Sequence, residues 1–258
     1  MKSIAQKTIF AILFTILFST VSFSQTGSSQ TKSIKPTIVL VHGLWADGSA
    51  WNKVTAVLQA QGYPVIAVQN PTTSLADDVS ATNNAIDRAT GDVILVGHSW
   101  GGFVIGEAGV SPKVKALVYI AALVPDKGET LPSLSAKATA TDLSKYLQNN
   151  GGFLTLTKEG VLKAFAGDVI ATEQNLIFAT QPPASQNLFT ATAENVAWKI
   201  RPTFYLVAKN DKAINPELER MMAKRANAIT VEVDASHVPM ISKPEAVIKI
   251  IEQAAASL

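Results

Sequence analysis

Cysteine is absent from this 258-residue chain, and histidine occurs only three times. The first absence removes disulfides, thiolate metal sites, cysteine nucleophiles and attachment of a lipid to a cysteine. The second leaves His42, His98 and His237 as the only imidazoles, too few for a histidine-rich metal site, so neither a metal nor a cofactor is expected. Charge is scarce as well: 16% of the residues are Asp, Glu, Lys or Arg, against 47% apolar. So apolar a chain can bury a sizeable core and does not stay disordered. Its length suits one large α/β domain or two small ones.

The first residues read as a targeting segment. Lys2 and Lys7 make a basic start, residues 9–23 are largely apolar, and Ser22-Phe23-Ser24 puts small residues at the −3 and −1 positions of a cut before Gln25. The rival reading is an uncleaved anchor, but a spanning helix needs ~20 apolar residues and this run is shorter. The expectation is a signal peptide over residues 1–24, a flexible leader over 25–35, and a folded domain over 36–258. It implies a secreted or periplasmic protein with no membrane span after cleavage. Removing the two segment lysines from the 22 basic residues leaves 20, against 20 acidic ones. No basic patch remains to support nucleic-acid binding.

Past the leader, short apolar runs alternate with stretches of helical spacing. Strands are expected over residues 37–41, 63–68, 92–96, 114–122, 203–208 and 230–233. Helices are expected around 51–58 and over 76–89, 101–109, 216–226 and 245–256. Runs that are apolar throughout belong to strands covered on both faces, hence to a mostly parallel sheet flanked by helices. Residues 126–198 break the rhythm. They show no clear strand but carry helix-like patches at 143–147, 161–165 and 176–178, so they read as a helical cap inserted after the fourth strand.

Gly97-His98-Ser99-Trp100-Gly101 matches G-x-S-x-G, a pattern that composition alone produces in roughly one chain of this size in ten. Its context is more specific. A strand runs straight into it and a small-residue helix straight out, as a strained elbow that lifts a serine Oγ above the sheet edge requires. A serine hydroxyl needs a base. His98 lies inside the elbow and cannot turn back on Ser99, and His42 ends the first strand, so both read as scaffold. His237, in the loop after the last strand, reaches the carboxyl edge of a parallel sheet, where Ser99 also is. Asp211, after the penultimate strand, is the acid expected to hold the imidazole, with Asp126 and Asp234 as weaker candidates. The oxyanion donors expected are the N–H groups of Leu44 and Trp100, each worth ~3 kcal/mol in the transition state. Trp45, Phe153, Leu154, Phe165 and Phe178 are expected to wall the substrate pocket.

These segments resemble the α/β-hydrolase superfamily over nearly the whole mature sequence. The resemblance rests on Val41-His42-Gly43-Leu44-Trp45, on Val96 to Gly102, on Ala116 to Ala122, and on the Asp211 and His237 segments in the order Ser, Asp, His. More narrowly the chain is similar to a small esterase branch that includes bacterial esterases, plant methylesterases and hydroxynitrile lyases. Residues 152–156, Phe165-Ala166-Gly167-Asp168 and Ser236-His237 resemble an uncharacterised bacterial group within it. The resemblance implies an α/β-hydrolase fold with about six strands, and a serine hydrolase of small to medium, hydrophobic carboxylic esters acting through an acyl-enzyme without cofactor. The alternatives are a catalytically silent ligand-binding protein on the same scaffold, or an acyltransferase or perhydrolase. Relatives that use aspartate as nucleophile differ at Ser99. Hydroxynitrile lyases carry Thr where Gly43 stands and Lys where Val238 stands. The only S-x-x-K, beginning at Ser29, lies in the leader, against a penicillin-binding reading.

Overall fold

The computed structural model describes residues 35–258. The expected signal peptide and all but the last residue of the leader lie outside the described residues. Among the described residues nine strands form: β1 (Thr37–Val41), β2 (Val65–Ala67), β3 (Val93–His98), β4 (Val114–Ile120), β5 (Leu147–Asn150), β6 (Phe153–Leu156), β7 (Ala184–Ser185), β8 (Thr203–Ala208) and β9 (Ile229–Val233). Six of them make a wholly parallel sheet in the order β2-β1-β3-β4-β8-β9. Every residue of β1, β3 and β8 is buried, whereas the edge strands β2 and β9 are half exposed. The continuous apolar runs of the sequence thus mark the central strands, which have cover on both faces.

The helices are α1 (Asn52–Ala60), α2 (Leu75–Arg88), α3 (Gly101–Ala108), α4 (Leu131–Ser135), α5 (Lys158–Gly160), α6 (Ala171–Thr180), α7 (Pro216–Arg225), α8 (Pro239–Ser242) and α9 (Pro244–Ala256). Local chemistry sets their starts. Ser74 caps α2 through the Asp77 N–H, and Asn215 caps α7 with Pro216 at its first position. Strand order reverses between β2 and β3, and parallel crossovers are right-handed. Hence α1, which packs with α9, lies on one face of the sheet, and the α2–α3 pair lies on the other.

The segment between β4 and β8 departs from the expected helical cap. It contains α4, α6 and short helical turns, but also an antiparallel sheet in the order β5-β6-β7. The patch at 143–147 falls mostly in a 3-10 turn, Asp142–Tyr146, and that at 161–165 in a π-helical turn. The hairpin has a local cause. Gly151 and Gly152 both take positive φ, +61° and +88°, between the paired residues Asn150 and Phe153. A two-residue hairpin turn that matches strand twist needs positive φ at both positions, which glycine supplies without strain.

The tightest packing lies where α3 leaves the sheet. A Cβ on Gly102 would sit 2.0 Å from the Leu123 carbonyl oxygen, whereas one on Gly106, a turn later, would meet only the Asn195 carbonyl at 3.9 Å. Gly102→Ala should therefore cost about 3 kcal/mol or more. Gly106→Ala should be neutral or stabilise by up to ~1 kcal/mol through helix propensity. Urea unfolding of the two variants measures the contrast.

Candidate active site

β3 delivers Ser99 into the elbow at φ +53°, a left-handed conformation that a side-chain-bearing residue rarely holds. Crowding enforces it. A Cβ on Gly97 would lie 2.6 Å from the Gly101 carbonyl oxygen, and one on Gly101 would lie 2.5 Å from that of Val41. Strand, helix and the neighbouring β1 approach more closely than any side chain at those positions would allow.

Three loops at the carboxyl edge converge on this serine. Ser99 Oγ lies 2.8 Å from His237 Nε2, and His237 Nδ1 lies 2.5 Å from Asp211 Oδ2. Asp211 Oδ1 accepts the N–H groups of Ala213 at 2.6 Å and Ile214 at 2.9 Å. The network assigns the proton of the neutral imidazole to Nδ1, which donates to Asp211, leaving Nε2 to accept from the serine hydroxyl. His237 and Asp211 are buried, and Ser99 is partly open. The two other candidate acids lie elsewhere: Asp126 pairs with Lys199 and Asp234 with Lys209, both at the surface.

The remaining histidines support the backbone. His98 is wholly buried and its Nε2–H donates to the His237 carbonyl at 2.8 Å. Burial, and then the neighbouring His237, hold its pKa well below the ordinary imidazole range, so it is a neutral strut. His42 Nδ1–H donates to the Gly43 carbonyl at 2.8 Å, and its Nε2 accepts the Asn70 N–H at 2.8 Å. Burial depresses its pKa as well. It shapes the loop that carries Leu44. Among the described residues, neither the Leu44 nor the Trp100 amide donates to a protein acceptor, and both residues border the same cavity as Ser99 and His237.

That cavity has a volume of about 400 Å³. Trp45 borders it, as the sequence suggested, but its apolar wall comes mainly from Leu123, Leu131, Leu143, Leu147, Phe189 and Ile214. The other four residues expected there do not border this cavity. Phe153 stands 40% exposed beside the hairpin turn, and Phe178 is exposed on α6. Leu154 contributes its carbonyl, which accepts the Trp45 indole N–H at 2.9 Å. Phe165 is buried behind the imidazole, its ring centroid 5.1 Å from that of His237 and 6.5 Å from that of Trp45. Next to it, Asp168 accepts the Ser236 hydroxyl. Phe165 and Asp168 thus brace the histidine loop, and Phe165 also borders a second cavity of about 250 Å³ that shares Trp45 with the first.

Sequence reasoning missed Asp78. This wholly buried carboxylate on α2 accepts the Trp100 indole N–H at 2.8 Å and the Thr72 N–H at 2.8 Å. Burial raises its pKa, and the two hydrogen bonds oppose the rise. Thr72 in turn accepts the Ser185 N–H of β7, so the elbow is tied through Asp78 to the inserted segment. An aspartate in the first turn of a helix normally serves the helix terminus, and nothing in its sequence neighbourhood distinguishes it from Asp77.

Fold and site together define a hydrolase of the α/β type. The model of the alpha/beta hydrolase family matches residues 38–250, and the chain belongs to that family. The carbendazim hydrolyzing esterase of Nocardioides sp. (strain SG-4G) is 35% identical over 129 residues, which cover 45% of this chain and 52% of that protein. The pyrethroid hydrolase of Sphingobium wenxiniae is 28% identical over 243 residues, covering 81% of this chain and 83% of the relative. Polyneuridine aldehyde esterase shares the fold with a TM-score of 0.73 at 21% identity, over 85% of this chain and 98% of that one. The first two similarities support a place in the small esterase branch of the family, and the third shows the fold.

Asp78→Ala leaves two buried donors without an acceptor, each costing ~1–3 kcal/mol. The variant should lose about 3 kcal/mol or more in urea unfolding. Asp77→Ala, whose hydrogen bonds are exposed, should lose no more than about 1 kcal/mol.

Proposed function

We propose that the protein hydrolyses carboxylic esters of small to medium, hydrophobic substrates through an acyl-enzyme on Ser99. The observation that carries this reading is the unbroken hydrogen-bonded chain from Ser99 through His237 to Asp211 beneath an apolar cavity. Ser99 Oγ attacks the acyl carbon as His237 Nε2 takes its proton. Asp211 keeps the imidazole in the tautomer that can do so and stabilises the imidazolium. The Leu44 and Trp100 N–H groups, with no competing protein acceptor, hold the oxyanion. His237 then returns the proton to the leaving alcohol. Water, deprotonated by the same imidazole, releases the acid and restores Ser99.

The esterase relatives support ester cleavage, and the largely apolar wall supports a hydrophobic substrate. Cyanohydrin cleavage is disfavoured at two positions. A Cβ on Gly43 would lie 2.6 Å from Ser99 Cβ, leaving no room for threonine, and Val238 is an uncharged, buried neighbour of His237. The basic and apolar opening of the sequence supports export to the periplasm or medium. Among the described residues no helix is long and apolar enough to cross a membrane.

Ser99→Ala should lower hydrolysis of p-nitrophenyl acetate by ~10³-fold or more, and a fluorophosphonate probe should label the wild type at Ser99 and leave the variant unlabelled. A variant as active as the wild type would sink the mechanism. A folded wild type that refuses the probe and turns over no ester would instead favour a ligand-binding protein on this scaffold. Esters graded by acyl and alcohol size then locate the pocket's limit.

A further inference from the structure

A second wholly buried acid besides Asp78 stands outside the mechanism above. Glu219, the fourth residue of α7, has no solvent exposure. Its Oε2 accepts the Ala208 N–H at 3.0 Å. Ala208 ends β8, and its carbonyl accepts the N–H of Asp211. Glu219 thus takes the N–H of the residue whose carbonyl anchors the Asp211 backbone, and the two buried carboxyls lie against each other at the end of β8. Glu219 Oε1 meets no N–H or O–H donor.

Two carboxyl groups in contact in a buried site cannot both stay ionised, so one proton belongs to the pair. Hydrogen bonding decides where it resides. Asp211 already accepts from Ala213, Ile214 and His237, whereas Glu219 accepts from Ala208 alone. The carboxyl with fewer donors keeps the proton, and that proton gives its orphaned oxygen something to do. Among the described residues no other group neutralises Glu219. Arg220, next along α7, turns outward to Glu217 and Glu232, and Arg225 at the far end of the helix holds Glu129. Tyr205 on β8 donates to the Ala122 carbonyl, and Tyr119 of β4 stacks on Tyr205.

We infer that Glu219 is a protonated positioning residue that donates a hydrogen bond to Asp211, fixing the carboxylate that orients His237. The hydrogen-bonded chain then has four members, Glu219, Asp211, His237 and Ser99. Burial and the Asp211 charge push the Glu219 carboxyl well above the usual carboxylate range, consistent with a neutral acid. The inference rests on the ester-hydrolase reading only for its effect on turnover. The location of the proton is a separate matter.

The test compares Glu219→Gln and Glu219→Leu. Glutamine keeps a donor toward Asp211 and an acceptor toward Ala208, so turnover should stay within about threefold and the acid limb of the kcat/KM–pH profile, which reports the base in the free enzyme, should not move. Leucine removes the donor. Turnover should drop about tenfold or more with KM little changed, and the acid limb should move up, because Asp211 without its donor stabilises the imidazolium more strongly. A Glu219→Gln profile displaced downward by about one pH unit overturns the inference, because Glu219 would then be charged in the wild type. A folded Glu219→Leu enzyme identical to wild type also overturns it. Infrared difference spectra of the two full-length proteins at neutral pH read the proton without any substrate. The carbonyl stretch of a buried carboxylic acid should be present in the wild type and absent from Glu219→Gln, and its absence from the wild type defeats the proposal even if leucine prevents folding. If the protein turns over no ester while the band is present, the hydrolase reading fails and the placement of the proton stands.

Discussion

The close approach of β1, β3 and α3 is the constraint on which the site depends. Gly97 and Gly101 let three stretches of backbone come nearer than a Cβ permits, and Ser99, between them, is driven to φ +53°. That conformation costs of order 1–3 kcal/mol and persists only because the surroundings over-determine it. The Leu123 N–H and the Gly102 N–H both donate to the Ser99 carbonyl, at 3.1 and 3.0 Å, and lock the turn from the far side. The strain is what aims Oγ away from the sheet and toward His237. A relaxed serine at the same place would cap α3 and be unavailable to the imidazole.

The three histidines divide along lines set by solvent and partners. His98 and His42 are buried against backbone carbonyls, and burial keeps both neutral. A neutral ring offers one donor and one acceptor in a fixed arrangement, which suits a strut. Only His237 lies between a carboxylate and a hydroxyl, where a proton can be taken up and its charge compensated. His98 sits adjacent to Ser99 and holds the His237 carbonyl, so one hydrogen bond ties the elbow to the His237 loop across 139 residues of sequence.

Much of this was legible in the sequence because it depends on local pattern and on topology. The uninterrupted apolar runs gave the central strands, and the order of Ser99, Asp211 and His237 along a parallel sheet brings all three to one edge. The β5–β6 hairpin was legible in principle from Asn149-Asn150-Gly151-Gly152, but Leu147 is followed by three exposed polar residues that carry no strand alternation. Beyond Trp45, the pocket wall was not legible. Phe165 and Phe153 look alike as apolar residues, and only tertiary packing sends one behind His237 and the other to solvent. Asp78 and Glu219 were invisible for a related reason. Acidic residues are almost never fully buried unless paired, and here the partners, the Trp100 indole and Asp211, come from a distant part of the chain or from the loop before the helix.

The inserted segment performs two jobs with different residues. Leu154, Phe165 and Asp168 reach back to Trp45, His237 and Ser236, so their positions are tied to those residues. Leu131, Leu143, Leu147 and Phe189 face the cavity and form no hydrogen bond to Ser99, His237 or Asp211 through their side chains. Changing the size of those four alters the space around a bound ester while leaving the imidazole supported. Changing Phe165 or Asp168 instead removes a ring packed on His237 or the acceptor of the Ser236 hydroxyl, and Leu154 serves through its backbone carbonyl. Relatives of this fold with different substrates are therefore expected to differ at the cavity-facing positions first. The sequence motif Phe165-Ala166-Gly167-Asp168 belongs with the machinery, although it lies in the region where specificity would otherwise be sought.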